Sequence, residues 1–487
     1  MSGAAVAAAV LSASHEAASQ QQRDIPTVSS ISPQERQEGA KAHPQLLAEF
    51  GGLYAGPQAA YVTSVGRRIA VQSSLSGSQG DFTVSLLNSA VNNAFAIPGG
   101  YIYVTRQLTA LMNSEAELAG VLGHEVGHVA AQHGKRRQDA AQRNSLLGAL
   151  GQVLVGAVAG DSALGGLLQK GIGTGSQLLT LRFSRTQEYE ADDLGIRYLA
   201  SAGYDPRALS DTLASLAAQN ILDARVKGTQ SSVPAWASTH PDPASRVQRA
   251  LDNARATGST ATFRNADVFL TNIDCMLYGD DPREGIVEGN RFLHPAFRLK
   301  FAVPQGFATE NGTQAVTISG SQGQAQFSGG SYGGDLPGYV GGVFRKLAGE
   351  GSFATPQVQR TTVNGLPAAY ATTRAQGSNG SMVDVTVFAY QFGPSTAYHF
   401  VTMTQAGAGI GPFAAMVQSM ARMTEAEAAK VRVRRVRIVT VRPGDTVASL
   451  AARMAYDDYP ADRFRVLNAL STTASVRPGQ RVKIVSY

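Results

Sequence analysis

The chain has little cysteine, little charge and no long hydrophobic run, and each shortage excludes something. A single cysteine, Cys275, rules out an intrachain disulfide, and its thiol is expected to be buried and inert. That fits the cytoplasm, and equally a bacterial secreted protein built without disulfides. Charged residues are 16% of the chain, below the usual quarter, so Ser, Thr, Gln, Asn and Gly must solvate much of the surface. No apolar segment reaches the roughly 20 residues of a membrane helix. The nearest, Leu146 to Gly160, is short, glycine-rich and interrupted by Gln152. Aromatic and basic residues do not interleave as on a nucleic-acid surface, so no nucleic-acid partner is expected. Internal repeats are also missing.

The length of 487 residues allows about three domains, and a hydrophobic fraction of 43% suffices for their cores. The net charge of +6 is uneven: Lys430, Arg432, Arg434, Arg435, Arg437 and Arg442 lie close together. This run reads as a basic linker, or as attraction to an anionic envelope polymer. The small apolar residues from Met1 to Ala13 resemble the end of a signal sequence without its basic start, so residues 1–35 are read as a leader or truncated signal region.

The pattern is α+β. Residues 36–260 are mostly helical, with amphipathic helices expected at Pro44–Tyr61 and Ala59–Gln72. Phe82–Leu87 alternates as a strand, and Ala94–Val104 reads as two strands around a Pro-Gly-Gly turn. A helix over Ser114–His133 opens with Ser114 as N-cap and Glu117 closing a capping box. The Ala/Gly/Leu-rich stretch Ser145–Ser176 reads as a loose helix pair or lid. Further helices are expected at Arg185–Ala202, Pro206–Ala217 and Pro243–Ala256. Residues 262–425 read as a separate strand-rich α+β domain closed by a helix at Ile410–Arg422. Residues 426–436 form the basic linker, and 437–487 a strand–helix–helix–strand unit.

Chemistry concentrates at His124-Glu-Val-Gly-His128. Helical residues four apart lie about 40° apart around the axis, so both imidazoles leave one face. They can reach one Zn²⁺, and Glu125 beside them can take a proton from its water. An open catalytic site needs a third protein ligand. The run Ser184-Arg-Thr-Gln-Glu-Tyr-Glu-Ala-Asp-Asp-Leu194 offers Glu188, with Glu190 the alternative. Asp192, one turn beyond Glu188, could accept the free N–H of a liganding imidazole. His133 reads as a helix-end residue turned off the metal face. Arg246 could order the site through a carboxylate.

These motifs, with Asn93-Ala-Phe-Ala-Ile-Pro-Gly-Gly-Tyr101 and Ser238-Thr-His-Pro-Asp-Pro243, resemble the HtpX-like zinc metallopeptidases, most of all their soluble BepA-like periplasmic branch. The resemblance spans roughly residues 36–257 and implies a zincin-type domain with one zinc on His124, His128 and Glu188. It also implies that Asp192 supports a ligand and that Glu125 is the catalytic base. The strand Asn93, Ala94, Phe95, Ala96 would bind an extended peptide by β-addition. By resemblance His240 sits near the metal, as a fourth ligand that keeps the enzyme latent or as a stabiliser of the oxyanion.

Val441-Arg-Pro-Gly-Asp-Thr-Val447, Leu467-Asn468 and Val476-Arg-Pro-Gly-Gln-Arg-Val-Lys-Ile484 resemble a LysM module, which implies N-acetylglucosamine polymers such as peptidoglycan as a partner. The stretch Tyr456-Asp-Asp-Tyr-Pro460 departs from a minimal module. The expectation is a gated zinc endopeptidase acting on misfolded or misassembled envelope proteins in the periplasm of a Gram-negative bacterium. Alternatives are a latent peptidase serving as a chaperone-like binding protein and, on the LysM-like end alone, a cell-wall hydrolase.

Overall fold

The computed structural model describes residues 25–137, 183–227, 236, 239–348, 356–376 and 381–487. Of the leader expected at residues 1–35, residues 25–35 are described and are not separate from the domain: the backbone N–H groups of Val28 and Ile31 donate to the carbonyls of Ala130 and Leu75, and a helix starts at Pro33. The lid expected at Ser145–Ser176 lies outside the described residues. Two compact units result, and the first is discontinuous: of the described residues, those up to 137 and from 183 to Gly279 join Arg434–Tyr487, while Asp280–Val433 belong to the second.

The first unit opens with helix α1, Pro33–Glu49, and helix α2, Gln58–Ala70. A helix was expected over Pro44–Tyr61. Instead Ser32 and Glu35 form a reciprocal capping box eleven residues earlier, and Pro44 sits inside the helix. Strands β1 (Thr83–Leu87), β2 (Ala94–Ile97) and β3 (Tyr101–Thr105) form a small sheet of order β1-β3-β2. β1 pairs parallel with β3, and β2 pairs antiparallel with it, Ala94 facing Val104 and Ile97 facing Tyr101. The turn between β2 and β3 needs glycine: Gly99 and Gly100 have φ of 96° and 85°, where L side chains are strained.

Helices α3 (Arg106–Leu111), α4 (Glu115–Ala130), α5 (Arg185–Ser201), α6 (Ala208–Lys227), α7 (Pro243–Ala256) and α8 (Ala266–Ile273) follow. Every α4 residue except Val129 is buried. A helix covered on all faces carries polar residues only where they find partners. Glu115 meets the hydroxyls of Tyr61 and Tyr204, the Arg68 guanidinium and the Asn265 amide. Glu117 accepts from the Ser114 hydroxyl and from the backbone N–H of Asn113, not from that of the cap itself. What remains polar on α4 is His124, Glu125 and His128.

Glycine sets how closely α5 crosses α4. A Cβ on Gly195 would lie 3.0 Å from the His124 backbone nitrogen, and one on Gly127 would lie 3.2 Å from the Ala191 carbonyl oxygen. The two backbones therefore touch where the histidines face the acidic helix.

The second unit holds a four-stranded sheet, ordered Ala421–Arg422, Leu299–Ala302, Arg291–His294, Ile286–Glu288, and a seven-stranded antiparallel sheet. The larger sheet runs from Gln359–Val363 through Leu366–Gln376, Met382–Gln391, Thr396–Gln405, Gly323–Ser331 and Val316–Gly320 to Ala308–Asn311. Alternate residues serve opposite faces: Val387 and Val401 pack under the helix Leu336–Ala348, while Phe388 and Phe400 join an aromatic cluster with Phe292, Phe301 and Phe327. The closing helix expected at Ile410–Arg422 is shorter, Ala414–Ser419, and ends in a two-residue strand, Ala421–Arg422.

The C-terminal residues fold as strand Arg435–Thr440, helices Val447–Ala451 and Pro460–Leu467, and strand Arg481–Ser486, the strands pairing antiparallel. Val436 joins the core around α4. Lys483 is fully buried, and its ammonium donates to the carbonyls of Ala110, Leu111 and Met112 at the end of α3. Cys275, expected to be buried, is exposed, with its sulfur against Arg437. It follows α8 in a left-handed turn, φ 61°, where the chain pairs with Val436 through backbone rather than side chain.

Candidate metal centre

Four buried side chains converge beneath a cleft: His124 and His128 from α4, Glu188 from the first turn of α5, and His240 just ahead of α7. The Nε2 atoms of His124 and His128 are 3.1 Å apart. Glu188 lies 3.4 Å from His128 Nε2 and 3.7 Å from His124 Nε2. His240 Nδ1 is 3.0 Å from Glu188 and 3.4 Å from His124 Nε2. Ligands about 2.0–2.1 Å from a tetrahedral ion stand roughly 3.3 Å from one another, so these separations have the size of that polyhedron's edges. The other nitrogens of His124 and His128 already face partners, so two lone pairs confront each other at Nε2. A cation between them removes that repulsion, and two or three imidazoles with one carboxylate suit a zinc-like ion.

Buried charges hold the cluster in place. Asp192 Oδ1 is 3.0 Å from His124 Nδ1. Arg246, fully buried on α7, donates to both oxygens of Asp192 and to Glu188, the ordering role the sequence allowed for it. Burial would raise the carboxyl of Glu188, but His240 and Arg246 outweigh it and hold it well below its ordinary range. Burial holds His128 well below its usual pKa against the pull of Glu188, as a neutral ligand requires. Glu125 is raised by burial, with His240 and His124 opposing. Its Oε1 is buried without a hydrogen-bond partner and lies 3.6 Å from His240 Nε2.

Three side chains stand against the cluster that the sequence reading did not place there. His133, expected to turn off the metal face, stands outside the cluster but reaches the far side of a ligand ring, its Nδ1 2.9 Å from His128 Nδ1. The physical reason is local. Helix α4 ends at Ala130, and Gln132 takes φ 50°, so the ideal helical rotation stops and the chain turns His133 back. Glu190, the alternative ligand, lies outside the cluster and bonds instead to His133 and Arg136. Phe183 stacks on His128 at 3.9 Å and Trp236 on His240 at 4.2 Å; nothing in the sequence pattern marked either.

The cleft has a volume of about 1320 Å³ and is lined by α1, by Asn93, Phe95 and Ala96, and by Glu125, His128 and His240. Strand β2 is the outer strand of its sheet. Ala94, expected with its neighbours, is fully buried in the core and does not line the cleft. Asn93 is buried, with its Oδ1 unpartnered.

Comparison with known proteins agrees with this geometry. The description "Peptidase family M48" matches residues 57–254, which contain the whole cluster. The M48 domain is a metallopeptidase domain, and the description "LysM domain" matches residues 439–485. The chain is 30% identical over 241 residues to the beta-barrel assembly-enhancing protease of Yersinia pestis, covering 49% of this chain and 47% of that one. It is 34% identical over 167 residues to Metalloprotease LoiP of Escherichia coli, covering 34% of this chain and 60% of that one. It is 41% identical over 125 residues to the mitochondrial metalloendopeptidase OMA1 of Arabidopsis thaliana, covering 26% of this chain and 23% of that one. The chain thus spans about half the length, or less, of several curated relatives it matches. Among the described residues no helix is long and apolar enough to cross a membrane.

Proposed function

We propose that the chain is a zinc-dependent endopeptidase acting on cell-envelope proteins of a Gram-negative bacterium, with His240 as its gate. The observation that supports this is the buried cluster of His124, His128, Glu188 and His240, whose ligand atoms all lie within 4.8 Å of one another; in this reading His240 stands where an open catalytic site keeps water. His124, His128 and Glu188 would hold the ion. When bound, zinc would polarise the scissile carbonyl and acidify the attacking water. Glu125 would take that water's proton and hand it to the leaving amine; its burial strengthens it as a base. His240 would swing from Glu188 to admit the peptide carbonyl. An extended peptide would add to β2, with the free Asn93 Oδ1 accepting a peptide N–H.

The envelope setting rests on the relatives from Yersinia pestis and Escherichia coli, both Gram-negative, one of them named for β-barrel assembly. The LysM domain supports peptidoglycan as an anchoring partner.

The test is zinc content and cleavage of an unfolded protein for wild type, Glu125→Gln and His240→Ala. The expected result is one zinc per chain. Glu125→Gln should keep the metal and lose cleavage by about 10²–10⁴-fold. His240→Ala should cleave faster than wild type. Folded wild-type protein that takes up no zinc would overturn the proposal, and a His240→Ala enzyme slower than wild type would overturn the gate.

A further inference from the structure

The two helix-borne imidazoles of the cluster are anchored differently. His124 meets a carboxylate directly, Asp192, at 3.0 Å. His128 meets another imidazole. His133 Nδ1 is 2.9 Å from His128 Nδ1, His133 Nε2 is 2.8 Å from Glu190 Oε2, and Arg136 donates to the same oxygen at 2.6 Å. His133 is fully buried, so both of its nitrogens need these partners.

Only one arrangement of protons satisfies the chain. An ionised carboxylate can only accept, so His133 carries its hydrogen on Nε2 and gives it to Glu190. Its Nδ1 then holds a lone pair, and the facing Nδ1 of His128 must supply the hydrogen. That leaves the lone pair of His128 on Nε2, the atom that faces His124 and Glu188. The opposite arrangement would point the Nε2–H of His128 into the cluster and leave His133 with no hydrogen for the carboxylate.

We infer that His133, itself held by Glu190 and Arg136, is a positioning residue that fixes the tautomer and orientation of His128 for metal binding. This rests on the metal-site reading above. The relay reaches the rim of the cleft, because Gln132, Gly134, Lys135 and Arg137 around it line that cleft. Glu190 is its one partly exposed acceptor, 18% exposed.

The experiment is a zinc competition titration against a chromogenic chelator on the full chain, with thermal midpoints of the metal-free proteins measured alongside. His133→Phe removes both contacts. His133→Asn keeps a carboxamide oxygen where Nδ1 stands. Glu190→Gln keeps an acceptor but loses its charge. His133→Phe is expected to weaken zinc binding about 10–100-fold, with His133→Asn recovering part of the loss and Glu190→Gln losing less than His133→Phe. A purely structural role would lower the metal-free midpoint while leaving zinc affinity equal in all three.

Folded His133→Phe binding zinc as tightly as wild type overturns the inference and leaves the metal site standing. Wild type binding no zinc overturns both. If His133→Phe does not fold, Glu190→Gln decides: unchanged zinc affinity there also overturns it.

Discussion

Arg246 shows what a single residue does in this site. It is buried with Glu188 and Asp192, and burial opposes its charge, yet the two carboxylates keep it protonated. Breaking a buried network from one side leaves charge uncompensated, at a cost of about 3–5 kcal/mol. Arg246→Leu is therefore expected to destabilise the metal-free protein by that order in urea unfolding. The loss should be smaller with zinc present, since the ion supplies positive charge to the same carboxylates. Equal losses with and without zinc would contradict the account. Glu115, at the start of α4, is a second case. Burial would raise it, but the hydrogen bonds of Tyr204, Tyr61 and Asn265, with Arg68, hold it below its ordinary value. Its contribution is present above the unfolded pKa near 4.5 and is lost as pH falls through the lower folded pKa. Glu115→Gln should flatten the acid limb of the stability profile below pH 4.5, and an unchanged limb would count against it.

At the scale of elements, the crossing of α4 and α5 decides whether Glu188 reaches the histidines. Gly195 lies against the His124 backbone, where an added Cβ would meet nitrogen at 3.0 Å and Cα at 3.2 Å. Backbone cannot yield as a side chain does, so a larger residue must push the helices apart. Gly195→Val is expected to cost about 1–3 kcal/mol and to weaken zinc binding at the same time. Lost stability with intact zinc affinity would show that the separation does not govern the site. The elements were largely legible beforehand: the alternation at Phe82–Leu87, the Pro-Gly-Gly turn and the Ser114 cap are local signals, and local rules place them. The misplaced first helix has a local cause too, because Ser32, Pro33 and Glu35 are a stronger start than Pro44. His133 escaped because a helix rotation was carried past the helix's end.

For the whole molecule, the order of the chain and the order in space differ. Tyr278 donates to the Arg434 carbonyl at 2.9 Å, and Val436 donates to Met276 at 2.9 Å, so the chain leaves the first unit and returns to it side by side. Replacing residues 280–433 by a linker of about three small residues should leave a folded, zinc-binding protein; insoluble or zinc-free product would refute it. Deleting 434–487 should do far more harm, since it removes Val436 from the core and uncaps three buried carbonyls at the end of α3. The returning segment also accounts for the net charge: residues 434–487 hold ten basic and four acidic residues, equal to the +6 of the whole chain. Arg435 and Arg437 of the basic run lie in the first strand of the C-terminal unit, which begins at Arg435, while Lys430 and Arg432 stay with the second unit.

The sequence alone determined the chemistry that spacing can carry. His124, Glu125 and His128 share a helix face because helical geometry is local, and Glu188 with Asp192 share one for the same reason. The LysM turns were equally plain, since Pro-Gly pairs act on their own neighbours. Only the tertiary structure decided which carboxylate faces the histidines, that Arg246 bridges it to Asp192, and that His240 closes the cluster. It also decided that His133 reaches back to His128 and that Lys483 is sealed against α3. Each of these joins segments distant in the chain or follows a break in regular geometry, and such contacts are set by how buried charges find partners once the core has closed.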